Sequence, residues 1–70
     1  MKFNVGDLFL APGNRGILIE INDFVEGVSG KTFTIYWSLT RGDLYEVKYG
    51  WLEINEKINK GHWKHIPVKQ

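Results

Sequence analysis

The chain contains no cysteine. That single absence excludes disulfides, thiolate zinc sites and cysteine nucleophiles together, and it points to a reducing compartment, with the cytoplasm as the expected location. No apolar run approaches the roughly 18 residues needed to cross a bilayer, so no membrane partner is expected. Charge of one sign is lacking too: nine Lys and Arg against eight Asp and Glu leave a net charge of +1. Bulk electrostatics therefore does not mark the chain as a nucleic-acid binder, which usually carries a strong basic excess or patch. Repeats, low-complexity tracts and linkers are also missing. The expectation is one domain over residues 1–70, with one small core.

What the chain does have is ten aromatic residues and 43% hydrophobic residues in 70 positions, arranged as short alternating runs. Val5-Gly6-Asp7-Leu8 opens a first strand to about Ala11, and Pro12-Gly13-Asn14 with Gly16 supplies turn chemistry. Ile17–Asn22 alternates, with Ile17, Ile19 and Ile21 on one face, so these three isoleucines are predicted core. Asp23–Gly30 reads as a connector into which Phe24 and Val25 tuck back. Lys31–Ser38 is β-branched and aromatic, with Phe33, Ile35 and Trp37 on one face and Tyr36 on the other. Thr40-Arg41-Gly42-Asp43 is a turn, and Asp43–Tyr49 pairs back with Tyr45, Val47 and Tyr49 inward.

From Gly50 the period changes. Trp51, Ile54 and Ile58 fall at i, i+3 and i+7, with Glu53/Lys57 and Glu56/Lys60 as i, i+4 pairs, so about two helical turns are predicted, ending at a Gly61 cap. His62–Val68 resumes an extended pattern as the closing strand, with Pro67 tolerated near its end. The predicted fold is mainly β, a small five-stranded barrel with a short helix before the last strand. The other architectures this order permits are an open meander capped by a helix and a winged assembly that needs a partner.

No constellation for catalysis stands out. Ser29 and Ser38 have no histidine near them in sequence, Asp7 and Asp43 read as turn residues, and a filled small barrel offers no substrate cavity. His62 and His65, three apart on a strand, point to opposite faces, so neither a metal nor a cofactor is expected. Gly13-Asn14-Arg15-Gly16 lacks the Gly-Lys-Ser/Thr ending of a phosphate loop and has no helix behind it. If the inward set fills the barrel, Phe9, Leu18, Tyr36 and Leu44 fall outside, where they form an interface, a stacking platform, or a surface covered by the helix or loop. Tyr36 and Trp63 with Arg15, Arg41, Lys48 and Lys64 have the chemistry of such a platform, because rings stack on bases while cations meet phosphates.

Val5-Gly6-Asp7-Leu8, Gly16-Ile17, the Tyr36-Trp37 strand and a helical turn before the last strand together resemble the SH3-like small barrels, including Tudor, KOW and Sm-like domains, over nearly the whole chain. The ending Trp51-Leu52-Glu53, Ile58 and Gly61-His62-Trp63-Lys64-His65-Ile66-Pro67-Val68 is similar to that of small proteins of marine phages, cyanophages especially. Arg41-Gly42-Asp43 is similar to the Arg-Gly of the second Sm motif, where the arginine helps hold a base. The Asp and Asn of the first motif have no counterpart, and the Ala-Leu-Tyr-Asp-Tyr run and tryptophan pair of proline-binding SH3 domains are absent, so proline-rich ligands are not implied. KOW-type contacts would place Arg15 near RNA, and Sm-type assembly implies a homo-oligomer joined by edge strands.

The functional expectation is a non-enzymatic binding module, of phage origin and acting in the host cytoplasm. It contacts nucleic acid through Arg41, Tyr36, Lys48, Lys64, Trp63 and Arg15. The alternative is a protein-interaction or virion-associated module that uses Phe9, Leu18 and Leu44 to meet itself or a host protein.

Overall fold

The computed structural model describes residues 2–23 and 30–69. Five antiparallel strands, β1 (Leu8–Ala11), β2 (Asn14–Asn22), β3 (Thr32–Leu39), β4 (Leu44–Gly50) and β5 (Lys64–Ile66), form one sheet in the order β4-β3-β2-β1-β5. A helix, α1 (Trp51–Asn59), precedes the last strand, as the sequence predicts. Among the described residues the sheet does not close into a barrel, and β4 and β5 are its edges. The first four strands are a meander and β5 returns beside β1, so the open, helix-capped alternative describes the architecture more closely than a closed barrel does. The proposed tuck of Phe24 and Val25 lies outside the described residues.

Each turn follows from its glycine. Pro12-Gly13 alone joins β1 to β2, proline at the position that fixes its φ and Gly13 at φ +75°. Arg15 and Gly16 therefore belong to β2 and not to the loop. Thr40-Arg41-Gly42-Asp43 joins β3 to β4 with Gly42 at φ +96°, and the backbone N–H of Thr40 and its hydroxyl both donate to the Gly13 carbonyl. The two turns are tied together at one end of the sheet.

The helix begins where Glu53 Oε1 accepts from the Gly50 N–H at 3.0 Å. It stops where Gly61, at φ +78°, lets its own N–H reach the Ile58 carbonyl and the His62 N–H reach the Lys57 carbonyl. That is the Schellman arrangement. Of the two i, i+4 pairs, Glu56–Lys60 forms at 3.3 Å, whereas Glu53 is spent on the cap. Ile54 is fully buried, Ile58 partly so, and Trp51 stays half exposed.

The core lies on one face of the sheet, under α1 and the N-terminal segment. Phe3, Phe9, Leu18, Phe33, Ile35, Trp37 and Ile54 form it, with Ile21, Val47, Tyr49 and Trp63 packed against them. Burial of each such side chain contributes roughly 1.5–3 kcal/mol. β3 behaves as predicted. In β2 the expectation is reversed: Leu18 is 1% exposed, while Ile17 and Ile19 are 38% and 45% exposed. A bulge between Leu18 and Glu20 shifts the register against β3, so Leu18 faces inward before it and Ile21 after it. Phe9 is likewise core, at 0% exposure.

Candidate interaction face

The strand registers place Ile66, Leu8, Ile17, Tyr36 and Glu46 directly opposite one another, one from each strand, in a row across the outer face. The next row is Lys64, Leu10, Arg15, Ser38 and Leu44. Ile17 and Tyr36 are each 38% exposed, Ile66 36% and Leu44 59%, and Ile19 stands out at the bulge beside them. An apolar band thus runs over a part of the sheet that no other described element covers, rimmed by Arg15, Lys64 and Lys48. Neighbouring aliphatic side chains normally escape water, so a contiguous exposed band of them marks a contact surface.

The residues predicted to meet nucleic acid do not all gather here. Tyr36, Arg15, Lys48 and Lys64 share the outer face. Trp63 does not: its ring lies 5.0 Å from Trp37 and 5.1 Å from Tyr49 on the core side, next to Phe9. Arg41 sits at the turn tip with its Nε 2.6 Å from Asp43 Oδ2, an exposed pair that already uses the guanidinium. Of the predicted interface residues, Leu44 is on this face and Phe9 and Leu18 are not. Ile17 and Ile19, which the sequence pattern put in the core, and Ile66, to which it gave no face, replace them.

On the core face of the same strands the corresponding row is His65, Phe9, Gly16, Trp37 and Tyr45. His65 stacks on Phe9 at 5.2 Å and meets Phe3 edge-on. Its Nε2 lies 2.7 Å from Asp7 Oδ2. Asp7 is completely buried and also accepts from the Val68 N–H at 2.8 Å and the Asn4 N–H at 3.0 Å. Burial pushes the Asp7 carboxyl up, but the hydrogen bonds from Val68, His65 and Asn4 outweigh it and hold the group below its ordinary 3.8. An ionised carboxylate only accepts, so His65 carries a proton on Nε2. Asp7 closes the Asn4–Asp7 turn, as expected of a turn residue, and beyond that fastens the closing strand. His62 is exposed in the turn between α1 and β5, and among the described residues no three His, Asp or Glu side chains converge.

Trp37 Nε1 donates to the Tyr49 hydroxyl at 2.8 Å, and burial, the largest influence, raises the Tyr49 phenol above 10.0. Two open depressions lie elsewhere among the described residues. One, of about 500 Å³, lies between the two tied turns beside Arg15, Ser38 and Thr40; another, of about 550 Å³, lies between α1 and β5 beside Ile58, His62 and Trp63. Among the described residues no helix is long and apolar enough to cross a membrane. No protein-family model, curated protein or solved structure matches this chain.

Proposed function

We propose that the chain is a non-enzymatic binding module whose ligand is a protein surface laid across the outer face of the sheet. The observation that carries this reading is the apolar row Ile66–Leu8–Ile17–Tyr36, exposed except at the half-buried Leu8 and extended by the exposed Ile19 and Leu44. Aliphatic side chains outnumber aromatic ones in it, which suits the apolar centre of a protein interface better than a base-stacking platform. The rim cations Arg15, Lys48 and Lys64 suit a partner with acidic groups around an apolar centre. If the resemblance to marine-phage proteins holds, that partner is a phage or host protein.

A second reading, single-stranded nucleic acid, draws on a specific arrangement. Lys48 is opposite Thr34 and Arg15 opposite Ser38, so cations flank Tyr36 diagonally from the two neighbouring strands, one toward each end of β3, each at roughly 7–8 Å. The two readings separate on titration of labelled single-stranded RNA and DNA oligonucleotides with the purified protein at low and high salt. The protein-partner reading expects no salt-sensitive binding. Binding at low salt that disappears in Arg15→Ala or Lys64→Ala overturns it in favour of nucleic acid.

A further inference from the structure

β4 is an edge strand of seven residues without proline, and among the described residues its outward side has no strand partner. The other edge is blunted, since β5 has three residues and Pro67 follows it. An open edge of this length is a template for another strand, and its own sequence, Leu44-Tyr45-Glu46-Val47-Lys48-Tyr49-Gly50, says which strand fits. About Val47, Tyr45 mirrors Tyr49 and the unlike charges Glu46 and Lys48 mirror each other, with Leu44 and Gly50 at the two ends.

We propose that two copies of the chain pair antiparallel through β4 about a two-fold axis at Val47, forming one continuous sheet. Such an interface is isologous, so a contact from residue i to residue j is repeated from j to i. Centred on Val47, the pairing sets Glu46 opposite Lys48 of the partner subunit, twice, on the outer face. On the core face it sets Tyr45 opposite Tyr49 of the partner subunit, twice. Directly opposed unlike charges and aromatic pairs are the favourable cross-strand combinations.

The competing registers are excluded by the same arithmetic. A continuous sheet keeps outer residues opposite outer residues, so the axis moves only in whole residues. Centred on Glu46, the pairing opposes two glutamates; centred on Lys48, it opposes two lysines. The Val47 register alone pairs the charges and also uses the full length of the strand. Within its own chain neither side chain is committed: Glu46 lies opposite Tyr36 and Lys48 opposite Thr34, and neither takes part in an ion pair among the described residues. The outer-face row of each copy would continue into its partner, but the proposal does not depend on what that row binds.

Sedimentation equilibrium of the full chain over micromolar to submillimolar concentrations is the test, with circular dichroism confirming the fold of each variant. A reversible dimer is expected. Glu46→Lys and Lys48→Glu, which each oppose like charges twice, should weaken it about tenfold. An equimolar mixture of the two variants should regain wild-type affinity as a heterodimer, because both charge pairs are then restored. A wild-type monomer throughout the range overturns the proposal. So does a dimer that both variants leave unchanged, or a mixture that behaves as the average of its two components.

Discussion

His65 and Asp7, 58 positions apart, are joined at 2.7 Å between Nε2 and Oδ2, and this contact fastens the closing strand to the start of the first. The same carboxylate holds the backbone of Val68 and Asn4. The segments before β1 and after β5 are thus gathered onto one buried charge.

Asp7 makes stability acid-sensitive. Its carboxyl titrates lower in the folded chain than in the unfolded one, so its contribution is present above the unfolded value of about 4 and is lost as pH falls through the folded value. Asp7→Asn should cost about 2 kcal/mol or more at neutral pH. The gap between variant and wild type should narrow in thermal melts taken progressively below about pH 4.

Gly16 is required by close approach and not by its backbone angle. A Cβ there would lie 2.7 Å from Ile35 Cγ2 and 2.9 Å from the Trp37 ring, both fully packed. Gly16→Ala should destabilise the fold by about 1–3 kcal/mol through overpacking, measured as a lower urea midpoint with an unchanged slope.

The two faces of β2 separate in a paired substitution. Leu18→Ala should cost about 2–5 kcal/mol as a buried truncation, and its neighbour Ile19→Ala less than about 1 kcal/mol. Equal costs in chemical denaturation would contradict the bulge that turns Ile19 outward.

At the end of α1 the cost is purely conformational. Nothing lies within 4 Å of an added Cβ on Gly61, but its φ is +78°. Gly61→Ala should therefore lose about 1 kcal/mol without change in the far-ultraviolet spectrum of the folded state.

The legible parts of the sequence were those with one apolar face. Phe33, Ile35 and Trp37 alternate with Thr34 and Tyr36, which fixes both the strand and its inward side. The change of period at Gly50 marks the helix, and Gly61 marks its end. β1 is apolar on both faces, Leu8 and Phe9 being equally hydrophobic, so alternation picks no side there; in β2 it picks the isoleucine face, and Leu18 on the opposite face is the buried residue. A bulge, which depends on pairing with β3, then changes the phase midway. Gly16 offered a signal, since a glycine inside a strand often marks a close approach, here by the neighbouring Trp37. The Asp7–His65 contact depends on β5 pairing with β1, a long-range register that local patterns do not encode. The candidate face was half legible for the same reason. Tyr36 and Leu44 lie on strands whose phase was readable, whereas Ile17 and Ile19 lie on the one that shifts.

The outer apolar row as the binding surface is tested most directly by a photo-crosslinking residue placed at position 17, on that row, and in a control at position 57, on the exposed side of α1, in cells that produce the protein. A discrete protein adduct from position 17 and none from position 57 is expected, and that partner, once purified, should bind the unmodified chain at high salt and fail to bind Ile17→Asp. Equal adducts from both positions, or an adduct to nucleic acid from position 17, would contradict the account.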